Sequence, residues 1–97
     1  MTTRKDLIIE KYSILKEEIK KISGEDSLFG LSQDIGDDSI ADLVFYVTML
    51  FVGVDTESQY ENKIKELLEL NDISMCEKDE SKVIVLVRDF VQWLKNL

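Results

Sequence analysis

The chain is predicted to be an all-α protein, a small four-helix bundle with helices near residues 4–23, 39–52, 56–70 and 80–96. Three observations carry this. The 97 residues hold no Pro and only 4 Gly, which favours long uninterrupted helices over a turn-rich sandwich or barrel. Apolar residues recur at spacings of three and four along most of the chain. Cap-like residue pairs stand where three of the four apolar series begin. At 44% hydrophobic and 33% charged, the composition is that of a folded domain, and the length suits a single domain, 1–97, around one core.

The first helix opens with Thr3 and Asp6, a capping-box pair with Asp in place of the usual Glu or Gln. Ile8, Tyr12, Leu15, Ile19 and Ile22 line one face, and Glu17 with Lys21 makes a favourable pair on the wet side. Gly24 supplies a residue suited to the left-handed exit. Residues 25–38 then read as a loop. Its Leu28, Phe29, Leu31 and Ile35 are too apolar for a free linker and are expected to tuck onto the core.

The second helix begins at Asp38 or Ser39, with Ser39 and Asp42 as a box-like pair. Ile40, Leu43, Val44, Val47, Leu50 and Phe51 share a face, while Phe45, Tyr46, Met49 and Val52 fill much of the rest. An element apolar on nearly every side is expected to be the central, most buried one. Val44–Val47 also has the composition of a buried strand. Gly53 ends this element.

Thr56 and Gln59 open the third helix, in which Tyr60, Ile64, Leu67 and Leu68 face the core and Asn71 suits the exit. After a short polar loop, Asp72 to Lys78, the last helix presents Val83, Val87, Phe90, Val91 and Leu94. Its opening Val83–Val87 run has strand composition as an alternative.

Charge is distributed unevenly. Lys and Arg number 12 against 20 Asp and Glu, a net charge of -8. Residues 1–23 carry net +2 and residues 63–97 net -1. The whole imbalance falls in residues 24–62, where Glu25, Asp26, Asp34, Asp37, Asp38, Asp42, Asp55, Glu57 and Glu61 stand with no Lys or Arg among them. Such a stretch either keeps the chain soluble or forms a docking surface for a basic-surfaced protein partner. The sign argues against nucleic acid and against an anionic membrane.

Catalysis is not expected. The chain has no His, which removes imidazole bases and His-ligated metals, and the adjacent acids Asp37 and Asp38 have no nucleophile–base set beside them. Nor do Asp34, Asp37 and Asp38 have the alternating spacing of a calcium loop. Cys76 is the single cysteine, so the fold rests on its core and not on a disulfide. No signal-peptide pattern opens the sequence, and the apolar run from Leu43 to Val54 falls short of a membrane span. A cytoplasmic protein is expected.

One local motif stands out. Asp34, Ile35, Gly36, Asp37, Asp38, Ser39 and Ile40 resemble the attachment motif of acyl and peptidyl carrier proteins, Asp-Leu-Gly-x-Asp-Ser-Leu. The run from Val87 to Lys95 also resembles that family's last helix. The resemblance implies a phosphopantetheine arm on Ser39, flanked by Asp38 and Gly36, that presents a thioester-bound acyl or aminoacyl group. A helix N-terminus favours the phosphodiester this would create. Asp37 departs from the small or apolar residue usual there, and Phe51–Val87 holds a full helix where the family has a short turn. Without modification, Ser39 reads as an ordinary N-cap and the neighbouring acids as compensation of the helix dipole. The acidic stretch supports an alternative of a different class: an immunity- or antitoxin-type inhibitor that neutralises a basic toxin or nuclease. Phe45, Tyr46, Tyr60 and Trp93 would be its anchors if exposed.

Overall fold

The structure is a computed structural model that describes residues 3–23 and 40–97. These form four helices: α1 (Arg4–Ser23), α2 (Ile40–Leu50), α3 (Glu57–Leu70) and α4 (Glu77–Lys95). No strand occurs among the described residues. Gly24 and the 25–38 segment lie outside them.

Local chemistry sets most of the boundaries. At α1 the Thr3 N–H donates to Asp6 Oδ2 at 3.3 Å while the Asp6 N–H donates to Thr3 Oγ1 at 3.2 Å, a reciprocal capping box. At α3 the Thr56 N–H donates to Gln59 Oε1 at 3.0 Å and the Gln59 N–H to Thr56 Oγ1 at 3.2 Å, a second capping box. The exit of α3 falls at Asn71, as expected. Asn71 is the C-cap, and the left-handed residue is Asp72, with φ of 55°. The Asp72 N–H reaches Glu69 O at 3.1 Å and the Ile73 N–H reaches Leu68 O at 2.9 Å, which closes a Schellman motif.

Helix α4 starts at Glu77, three residues before the expected position near 80. Cys76 holds the N-cap position without a side-chain cap, and Glu77, Asp79 and Glu80 complement the dipole in the first turn. Val83–Val87 is helical. Its period decides against a strand: Val83, Val87 and Val91 fall four apart and are all fully buried. On α1, Lys21 pairs with Glu18 at 3.4 Å, one residue from the expected partner Glu17.

The core is one cluster contributed by all four helices, with Ile8, Tyr12, Leu15 and Ile19 from α1 and Tyr60, Ile64, Leu67 and Leu68 from α3. Its centre is α4, which packs against each of the other three. This corrects the expectation that the second helix is central. The Val residues of α4 are met by all three other helices, whereas among the described residues α2 fully buries Leu43 and Val47, with Phe51 just beyond its end, and packs Val44 and Leu50 partly against the core. Phe45, Tyr46, Met49 and Val52 are exposed.

The α2–α3 connection is held by α4. Gly53 turns the chain with φ of 75°, which a Cβ would strain. Lys95 Nζ donates to Phe51 O at 3.0 Å and to Val54 O at 2.9 Å, and lies 5.7 Å from the Tyr60 ring centroid. That ring stacks on Phe51 at 5.7 Å. α2 has no basic residue in its own last turn, so a cation from α4 takes that place.

Candidate functional site

α2 is the element on which sequence and structure disagree most, and the disagreement creates a surface. Its eleven residues are almost all apolar; Leu43 and Val47, continued by Phe51 in the following turn, are buried in the core with Val44 and Leu50 packed partly against it, and the opposite side is exposed. Phe45 is 66% exposed, Met49 55% and Tyr46 40%, and Val52 in the turn is 70% exposed. The one polar side chain in the middle of the helix makes no demand on a partner. Thr48 Oγ1 donates back to Val44 O at 2.7 Å, with Phe45 O at 3.0 Å.

Asp42 is exposed in the first turn of α2, and Asp55 is exposed just past the turn. The Asp55 N–H donates to Gln59 Oε1 at 2.8 Å, which fixes the backbone at that corner. The other two described acids of the stretch are already engaged. Glu57 pairs with Arg88 of α4, and Glu61 with Lys65 at 3.0 Å. Lys65 also reaches Glu80 at 3.8 Å. The hydrogen bond and charge of Glu61 hold the Lys65 ammonium above the ordinary lysine value, with Glu80 and Glu77 adding to the effect against a little desolvation. The acidic stretch is therefore not one uniform unpaired face. Asp42 and Asp55 flank α2, while Glu57 and Glu61 line a groove with Ile84, Val85 and Arg88 on the α3–α4 side.

Ser39, Asp38 and Gly36 of the carrier-like motif lie outside the described residues, as do Glu25, Asp26, Asp34 and Asp37. Of the aromatic anchors, Tyr60 is buried at 2% exposure, and Trp93 is half-buried, stacked at 6.3 Å from Phe90 with Lys11 Nζ 5.6 Å from its ring. Phe45 and Tyr46 remain available. Met49 and Val52, read from sequence as filling a buried helix, join them; no residue type distinguishes an apolar side chain that lacks a neighbour from one that has it.

Among the described residues no group of three or more Cys, Asp or Glu is placed to hold a metal ion, and no described helix is long and apolar enough to cross a membrane. The arrangement can exclude water over an apolar ridge and attract positive charge at its ends. Comparison of the chain with protein-family models, with curated proteins and with solved structures finds no match.

Proposed function

We propose that the chain is a non-catalytic binding protein of the immunity or antitoxin type, which neutralises a basic-surfaced toxin or nuclease by covering it with α2 and the turn behind it. One observation carries the reading: α2 exposes Phe45 and Tyr46 between Asp42 and Asp55, inside a stretch that contains no Lys or Arg. The acids select a partner by sign and speed its approach, and the apolar residues supply contact area. Negative charge makes nucleic acid and anionic membranes poor partners. Residence in the cytoplasm suits a chain with Cys76 as its one thiol.

Co-expression with each neighbouring gene whose product is basic and toxic tests this. Growth should be restored by the wild-type chain and lost with Asp42→Lys/Asp55→Lys, and the complex should weaken as salt rises. A toxin that is neutralised equally well by the charge-reversed variant overturns the reading.

A second reading has its own support. The segment Asp34 to Ile40 resembles the attachment motif of carrier proteins, and its serine precedes Ile40, the first described residue of α2, in sequence. On this reading Ser39 carries phosphopantetheine, with Asp38 and Gly36 beside it, and the chain presents an acyl or aminoacyl group to a basic-faced enzyme. Intact mass after incubation with a broad-specificity phosphopantetheinyl transferase and coenzyme A decides it. An added arm that disappears in Ser39→Ala supports the carrier; an unchanged mass ends it.

A further inference from the structure

We propose that α2 receives a basic amphipathic helix of the partner protein, its apolar residues seated on Phe45, Met49 and Val52 and its Lys or Arg residues placed at both ends against Asp42 and Asp55. This rests on the docking reading above and specifies the partner's contacting segment.

Asp42, Phe45 and Met49 follow one another at steps of three and four on one face of α2, and Val52 and Asp55 lie just beyond its end in the segment that turns at Gly53. Phe45, Met49 and Val52 are 66%, 55% and 70% exposed. Elsewhere Leu7, Ile14 and Val85 are 38%, 51% and 44% exposed, Ile14 and Val85 at grooves walled by the partly buried Leu86, and partial exposure of that kind is ordinary for a protein surface. A stripe of three, each more than half exposed, with acids at its ends is not.

Charge chooses the occupant. A second copy of the chain would bring another net -8 and set its own Asp42 and Asp55 against these, which repels. An anionic lipid surface is disfavoured by the same sign. A partner segment with cations at both ends and apolar residues between meets every feature of the stripe. A helix is the fitting shape because the ridge of one helix seats between the side-chain rows of another, and no sheet edge occurs among the described residues to accept a strand. From Asp42 to Met49 the stripe runs about 10 Å, so two to three turns of the partner suffice.

Three synthetic helical peptides test this against the full chain by amide chemical-shift titration. The first has Leu at i, i+4 and i+7 with paired Lys at each end. The second replaces the Leu residues by Ser, and the third replaces the Lys residues by Glu. The first should bind, with shifts centred on α2, and Phe45→Ala/Met49→Ala should weaken it by about tenfold or more. Val85→Ala, on the far groove, should leave binding unchanged. These positions are exposed, so unchanged thermal unfolding of each variant confirms that the fold is intact. Equal binding of the Ser peptide overturns the apolar seat while leaving docking by charge in place. Equal binding of the Glu peptide, absence of binding, shifts centred elsewhere, or self-association through α2 in sedimentation each overturns the proposal. Failure of toxin neutralisation with the Leu–Lys peptide still seated on α2 removes only the inhibitor reading.

Discussion

Asp72 holds a φ of 55°, the left-handed conformation in which a side chain crowds its own backbone, and it does so because the Schellman bonds from Asp72 and Ile73 require it. Asp tolerates that region better than most residues; a β-branched side chain does not. Asp72→Val should therefore cost about 1–2 kcal/mol, while Asp72→Gly should stay within about 0.5 kcal/mol of wild type, relief of strain offsetting the extra freedom of the unfolded chain. Urea unfolding of the two variants separates them. A second pair of substitutions tests where the aromatic residues of α2 and its turn lie. Phe51 is fully buried and Phe45 mostly exposed, so Phe51→Ala should cost about 3–5 kcal/mol and Phe45→Ala less than about 0.5 kcal/mol. Similar losses from both would place Phe45 in the core.

At the scale of the helices, the legible features were those written locally. The boxes at Thr3 and Thr56 are hydrogen bonds between residues three apart, so residue type and spacing suffice to read them. The face of α4 was legible for the same reason, through its four-residue Val spacing. Its start at Glu77 was not, because the N-cap residue Cys76 offers no side-chain cap to recognise. The burial of α2 was misread because burial depends on which other helices arrive beside it. An all-round apolar sequence is compatible with the centre of a bundle and equally with a surface made to be covered. Of the proposed docking residues, Asp42, Asp55 and Phe45 were named from sequence. Glu57 and Glu61 were named too, but pair with Arg88 and Lys65, which lie outside the acidic stretch. The Lys95 clamp, more than forty residues from its acceptors, left no local trace. Its removal is measurable. Lys95→Met keeps the aliphatic stem but loses both bonds to Phe51 O and Val54 O, and should cost about 1–2 kcal/mol in thermal or urea unfolding. No loss would show that water replaces the ammonium without penalty.

For the molecule as a whole, the last helix in sequence is the one on which the other three assemble. A chain ending before Glu77 would leave Leu43, Val47, Tyr12 and Ile64 without their central neighbour, and should show little cooperative unfolding by circular dichroism. An intact cooperative transition in that truncated chain would mean that α1–α3 form a core of their own. The clamp extends the same dependence to the proposed docking surface, since the residue that fastens the end of α2 belongs to the final turn of α4. On the ribosome this ordering has a consequence. Translation would have to deliver α4 before the earlier helices could settle, so α1–α3 would stay open to chaperones and proteases until α4 had emerged, and the capacity to bind a partner would be acquired in a single step.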